Sequence, residues 1–374
     1  MTMHSLARQI TLTIQCHGLL PETPSALVLM VSGGADSVAM ARLIPELFSE
    51  HHYTILHINH GLRGEASDAD EFFVRELAAE LGIECMVRCL KLADPEFVQG
   101  RNIEALGREL RYREALKLLG DSGYVLTAHT VDDRVETFLM RVIKGGGQGA
   151  LAGIARQSGQ IVRPLLDCQR QQLRDYLNSI DQPWREDASN SDTRFLRAFV
   201  RQKILPQMLE QNPQLHKTLG RSLDLLAEED SFLKQLVSDL LAQSGTSDLD
   251  ENGHLTVSLS IGRLEQSDTH PVILRRLLKQ ACEMVMPADE RLDASHLQTI
   301  VNGLSRVGFA TDIPGAVEVR RKHDTLVIRQ KGVGELPRSH KLKNKVEGII
   351  AAVDNATQQI SQQHGSHGLE EMEL

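Results

Sequence analysis

The chain is short of cysteine: five among 374 residues, at Cys16, Cys85, Cys89, Cys168 and Cys282. Their number is odd and they are scattered. No two form a Cys-x-x-Cys pair, which excludes a zinc ribbon and a thioredoxin-like redox pair and suits a reducing cytosol. Cys85 and Cys89 alternate with apolar neighbours on an expected strand and read as small buried side chains. No apolar run is long enough to span a bilayer. Residues 1–20 are amphipathic, carry Arg8 and contain no small-residue cleavage site, so they read as a helix and not as an export signal; no membrane association is expected. Positive charge is also scarce, with 41 Lys and Arg against 50 Asp and Glu and a net charge of −9. That balance argues against general nucleic-acid affinity, which depends on cations neutralising phosphates. The deficit is uneven, because residues 318–345 hold nine cations, including Arg320, Arg321 and Lys322, against three acids. So uneven a strip in an acidic chain is a candidate phosphate-backbone patch.

What is present begins with Ser32-Gly33-Gly34-Ala35-Asp36-Ser37, which follows the β-branched and aliphatic run 26–31 and precedes a helical pattern. Paired glycines let the backbone approach an anion, and a helix starting at Asp36 or Ser37 presents unpaired N–H groups and a partial positive charge. The Gly-Lys-Ser/Thr ending of a Walker A loop is missing, which removes the P-loop kinase and GTPase reading.

Short apolar runs at 26–31, 53–58, 84–89 and 124–128 alternate with helical periodicity at 37–49, 67–81, 102–119 and 132–143. This βαβα order predicts an α/β fold, a doubly wound and mostly parallel sheet with helices on both faces. Ligands gather at the carboxyl ends of strands in such sheets. The distinctive motifs all fall at such ends: Ser32 to Ser37, then Asn59-His60-Gly61-Leu62-Arg63, then His129 with Asp132 and Asp133. A helix is expected after Arg163-Pro164-Leu165-Leu166 and through Leu177. Long helices interrupted at Pro206 and Pro213 follow over 193–243, then a polar linker over 244–253. Beyond it come helices at 271–286 and 294–304, a turn at 312–315, and a hairpin of 316–322 with 325–330 across His323-Asp324, giving a smaller α+β unit.

In the segment His129-Thr130-Val131-Asp132-Asp133-Arg134-Val135-Glu136, three carboxylates and a histidine share one strand-to-helix junction. Asp133 and Glu136 are three apart and share a helical face. Hard carboxylate oxygens suit Mg²⁺. Simple N-capping and dipole compensation also account for acids at this position.

The Ser-Gly-Gly-Ala-Asp-Ser hexapeptide resembles the PP-loop of the ATP pyrophosphatases. Adding His60 to Arg63, Ala105 to Tyr112, His129 to Arg141, Gly145-Gly146-Gly147 and Arg185 to Asn190 with Asp192-Thr193, the chain resembles the bacterial tRNA(Ile)-lysidine synthetases. The likeness covers 27–206 in order and, more loosely, 274–328. It implies a ligase that activates the C2 carbonyl of the wobble cytidine of tRNA(Ile) with anticodon CAU by adenylation, releases pyrophosphate, and lets L-lysine displace AMP to give lysidine. It further implies that Ser32, Gly33, Gly34, Ala35, Asp36 and Ser37 bind ATP and that Asp36, Asp133 and Glu136 serve Mg²⁺ or the lysine ammonium. His129 is implied to lie beside the reacting phosphate and Arg111 to balance adenylate charge. Arg197, Arg201, Arg320, Arg321 and Lys322 are expected to face tRNA, and Arg113 and Arg141 are further candidates for the α-phosphate. The expected division is a PP-loop catalytic domain over 1–205, a helical connector over 206–250, a tRNA-recognition domain over 251–332, and a basic then polar, disordered tail over 333–374 in place of the further domain of longer members. A cytoplasmic location and a homodimer are expected. Where the family carries Arg-Asn-x-Ile-Arg, this chain reads Arg197-Ala198-Phe199-Val200-Arg201 and loses an amide donor. The readings in competition are a tRNA thiolase, which commonly needs Cys-x-x-Cys pairs, a small-molecule amidating synthetase, and a non-catalytic anion-binding module.

Overall fold

The structure is a computed structural model that describes residues 3–331 apart from 60, 62–63, 91–102, 121, 187–195, 250–252, 267–268 and 288–289. Most of the His60 to Arg63 motif, the 187–193 motif and the 333–374 tail therefore lie outside the described residues. Two compact units divide between Asp230 and Ser231.

In the first unit the apolar runs form strands β1 (Ala26–Met30), β2 (His52–Asn59), β3 (Glu84–Cys89) and β4 (Tyr124–Leu126), joined by the short β5 (Gln157–Ser158) and β6 (Ile161–Val162). The sheet order is β3-β2-β1-β4-β6-β5. All neighbours are parallel except β5 with β6. The chain moves outward from β1 to β3 and then crosses to β4 on the other side of β1. The topological switch point, where α/β sheets open a crevice, therefore lies between the carboxyl ends of β1 and β4. Alternation along the strands sends Leu27, Leu29, Leu126 and Val162 to one face. There they pack with α1 (Met3–Cys16), α2 (Ala35–Leu47), α3 (Glu65–Leu81) and α7 (Arg170–Ser179). Val28, Leu56 and Val125 point to the other face, against Ala115 and Leu119 of α4 (Ile103–Leu119). The doubly wound expectation holds. α5 (Val131–Ile143) leaves β4 at the crevice, and α6 (Gln148–Leu151) follows it.

Downstream, Pro206 does not interrupt the helix. Helical geometry runs from α8 (Leu196–Phe199) through a π segment at Val200–Ile204 into α9 (Leu205–Gln211). Pro206 sits in the first turn of α9, where a missing N–H costs least. Pro213 does fall in a break, before the thirty-residue α10 (Leu215–Ser244). Cys168 and Cys282 are buried, whereas Cys89 is exposed, because β3 is the sheet edge.

The second unit is an antiparallel sheet of β7 (Gly245–Leu249), β8 (Leu255–Ser260), β9 (Ala310–Ile313), β10 (Val317–Lys322) and β11 (Thr325–Gln330) in the order β7-β8-β11-β10-β9. The short α11 (Ile261–Gln266) follows β8. Val257, Leu259, Val317, Val319, Leu326 and Ile328 bury one sheet face in a core shared with α12 (Pro271–Val285) and α13 (Ala294–Gly303). The segment read as a polar linker contains an edge strand instead. β7 pairs with β8 and leaves its other side open, a position that tolerates a polar sequence.

Candidate active site

The turn after β1 is built around Gly33, whose φ of +91° is a conformation that side chains with a Cβ avoid. A Cβ there would also lie 3.4 Å from Cγ of Arg185, whose backbone N–H donates to the Gly33 carbonyl at 2.9 Å. Gly34 is the N-cap of α2 and accepts from Val38 N–H at 3.0 Å. The helix starts one residue before the expected Asp36, so the amides of Ala35, Asp36 and Ser37 all precede the first intrahelical bond. Ser37 closes the turn: its hydroxyl donates to the Gly34 carbonyl at 2.9 Å and accepts from Ser32 N–H at 3.2 Å. The result is an amide-lined helix entrance able to hold an anion at the switch point.

Across the crevice, α5 opens with a capping box. Oδ2 of Asp133 accepts from Thr130 N–H at 2.8 Å and from the Thr130 hydroxyl at 3.0 Å. Oδ1 accepts from Nη2 of Arg170 at 3.0 Å and Nη2 of Arg197 at 2.8 Å. One turn on, the fully buried Glu136 takes Nε of Arg201 at 2.6 Å and Nη1 of Arg170 at 3.3 Å on Oε1. Its Oε2 takes Nε of Arg197 and Nη2 of Arg201, both at 2.9 Å. The third acid is Asp36, whose Oδ2 accepts from Nε of Arg170 at 3.3 Å. Asp36, Asp133 and Glu136, from two helices far apart in sequence, thus converge. The focus they share is occupied by the guanidinium of Arg170, whose own backbone N–H is held by Asp132 at 2.8 Å.

These environments separate the three acids. Burial alone would raise Asp133 and Glu136, but the surrounding arginines outweigh it and hold both below the ordinary carboxylate value. Burial prevails at Asp36 and pushes it up to about 6, with Arg170 opposing and the charge of Asp133 assisting. Asp36 also keeps acceptor capacity, since Oδ1 is buried and has no partner among the described residues. Five of the six carboxylate oxygens already accept from N–H or O–H donors. The three acids as arranged do not fit a divalent ion, and no cluster of three His, Cys, Asp or Glu suited to a metal occurs among the described residues. What the cage accepts is a nitrogen cation with several N–H donors.

His129 leaves β4 beside this cage. Its Nδ1 bonds the Thr127 hydroxyl at 2.9 Å. Burial lowers its pKa to about 4; Asp133 acts in the opposite sense, and Arg163, Arg108 and Arg197 push it down further, leaving a neutral imidazole at pH 7. Other expected cations have local partners. Arg141 donates to the carbonyls of Ala150 and Gly153, fastening the turn around Gly145, and Arg113 is an exposed neighbour of Glu114. Arg197 and Arg201 do not project as unpaired cations but neutralise the cage. In the second unit, Arg320 pairs with Glu318 at 2.7 Å, Arg321 donates to the His323 carbonyl at 3.0 Å, and Lys322 is exposed. Sequence reasoning missed Arg170. It lies outside every quoted motif, and its only local signal is a cation at the start of a helix, where the dipole disfavours it. Among the described residues, no helix is long and apolar enough to cross a membrane.

The PP-loop domain family matches residues 4–208 of the chain. The tRNA(Ile)-lysidine synthase of Solibacter usitatus is 34% identical over 324 residues, covering 85% of this chain and 70% of that protein. Its counterpart in Bacillus cereus is 30% identical over 331 residues, 85% of this chain and 68% of that protein. The Thermus thermophilus protein is 38% identical over 219 residues, 58% of this chain and 42% of its own length. With the family domain over more than half of its length and the Solibacter and Bacillus relatives matched over 70% and 68% of theirs, this chain belongs to the tRNA(Ile)-lysidine synthase family of PP-loop enzymes.

Proposed function

We propose that the chain ligates L-lysine to C2 of the wobble cytidine of tRNA(Ile) with anticodon CAU, consuming ATP and forming AMP, pyrophosphate and lysidine. The observation that carries the reading is the convergence of an amide-lined turn and a three-carboxylate cage, already holding a guanidinium, at one switch point. The chemistry needs both. In the first step O2 of cytidine attacks the α-phosphorus and the bond to pyrophosphate breaks; amides of Ala35 to Ser37 are placed to receive the charge of the leaving phosphates. In the second, the neutral lysine amine attacks C2, the C–O bond to AMP breaks and the new C–N nitrogen sheds a proton; before that attack, the lysine ammonium must give up a proton of its own. The sequence left open whether Asp36, Asp133 or the substrate accepts that proton. Asp36 is the best suited of the two side chains, because its Oδ1 has no donor and its pKa is near 6, whereas both oxygens of Asp133 are taken.

Arg320, Arg321 and Lys322 are proposed as phosphate contacts for the RNA, since together they exceed the charge of Glu318, the partner of Arg320. The test is transfer of labelled lysine into tRNA(Ile) followed by nucleoside digestion. A labelled modified cytidine supports the reading. Label that stays free while ATP is consumed with sulfide, ammonia or glutamine replaces it with another PP-loop chemistry.

A further inference from the structure

The cage balances its own charge, but a second group of arginines beside it does not. Val125 of β4 and Ile161 of β6 are register partners on the α4 face of the sheet. The ladder continues one step beyond the strands, with Thr127 N–H donating to the Val162 carbonyl at 3.0 Å. Alternation then places Thr127 and Arg163 on that same face, and the Thr127–His129 bond keeps the imidazole with them. α4 runs back over this face: Leu119 lies against Gly123 at the start of β4, and the stripe Leu119, Ala115, Tyr112, Arg108 climbs toward the strand ends. Its apolar half packs on the sheet. Its polar half therefore meets Arg163 and His129.

Arg163 is 5% exposed. Nη1 donates to the Ala155 carbonyl at 2.7 Å, the Tyr112 hydroxyl accepts a further bond, and the buried Nε has no partner among the described residues. Arg108 lies over the Tyr112 ring at 5.6 Å and is exposed at the rim. Among the described residues neither arginine forms an ion pair, unlike Arg170, Arg197 and Arg201 in the cage. A buried guanidinium without a counter-charge is costly, and an anionic ligand removes that cost.

We propose that Arg163 at the floor, Arg108 at the rim and Nε2 of His129 form an anion pocket, separate from the Gly33 turn, that holds a phosphoryl oxyanion. The crevice is then bipolar, with a cation cage on the Asp133 side of His129 and an anion pocket on the Arg163 side. The inference rests on the ATP and RNA chemistry proposed above, which offers two sources of that oxyanion: the phosphate of AMP or its adenylate, and a backbone phosphodiester of the RNA.

The test titrates the full chain with AMP and, separately, with an RNA hairpin carrying the CAU loop, following affinity by calorimetry and the His129 imidazole by NMR. AMP is expected to move the His129 resonances, and Arg163→Gln and Arg108→Gln each to weaken AMP by about tenfold or more, the loss of one charge-assisted bond. Arg163→Lys is expected to restore part of the binding. If RNA moves His129 and loses affinity in the variants while AMP does neither, the pocket stands and its ligand is the backbone. Binding of both probes within about twofold of wild type in both glutamine variants, with His129 unmoved, overturns it. Arg108 is exposed, so its variant keeps the test valid should Arg163→Gln fail to fold. Absence of lysine transfer overturns the proposed ligation and leaves this binding result intact.

Discussion

Replacing Glu136 with Gln probes the cage with almost no change in shape. The wild-type carboxylate is fully buried and accepts four N–H bonds, at 2.6 to 3.3 Å, from Arg170, Arg197 and Arg201. An amide nitrogen in place of either oxygen turns two of those contacts donor-to-donor and removes the charge that three guanidinium groups share. Breaking a buried pair costs about 3–5 kcal/mol, and each charge-assisted bond is worth about 1.5–3 kcal/mol. The arginines are partly exposed and can turn to water, so the lower end, about 3 kcal/mol, is expected. Trp184, the single tryptophan, packs against the core of the first unit and reports its unfolding in urea. At about 1–3 kcal/mol per molar, the midpoint should fall by about 1 M or more at pH 7. The pH dependence adds a sign. Glu136 has a folded pKa below its unfolded value of 4.5, so its contribution is present above 4.5 and is lost as pH falls through the folded value. Wild type and Glu136→Gln should therefore converge in strong acid. A midpoint at pH 7 indistinguishable from wild type would refute the account of the cage as a tightly satisfied charge cluster.

Asp36 has the opposite sign: its pKa rises from 3.8 to about 6, so the stability it lends in acid is lost as pH climbs through 6. Relative to wild type, the unfolding midpoint of Asp36→Asn should be higher at pH 8 than at pH 5, and lysine transfer should fall while RNA retention stays intact; labelled-lysine transfer and filter binding check the last two. Gly33→Ala should cost about 1–2 kcal/mol in strain at a positive φ and weaken ATP binding, read by calorimetry. Reversing Arg320, Arg321 and Lys322 to Glu should lower tRNA affinity and flatten its salt dependence; unchanged binding would reduce the strip to a solvated surface.

The four main strands were legible because each is a short, largely apolar run between helical segments, and the helices because their apolar positions recur at 3.6 residues. The Gly33 turn was legible for a local reason, a required positive φ. The cage was half legible. Asp133 and Glu136 sit three apart, so spacing alone put them together, but Arg170 meets Asp36 across 134 residues, and no spacing rule reaches that far. Arg197 and Arg201 read as cations for RNA because a sequence shows charge and not its partner. Once folded, both are spent on Glu136. β7 was missed since an edge strand draws its order from the ladder and needs no apolar pattern of its own. Arg163 stands in the sequence only at the head of the segment that leads into a helix, and its meaning comes from the β4–β6 register.

The most direct test of the central claim is pyrophosphate release by the full chain when ATP, tRNA(Ile) bearing CAU and lysine are omitted one at a time. Release should require ATP and tRNA together, and sustained turnover should further require lysine, with one lysine joined to RNA for each pyrophosphate formed. Rapid release without tRNA, or turnover indifferent to lysine, would contradict the assignment of the amide-lined turn and the carboxylate cage to a single ligation.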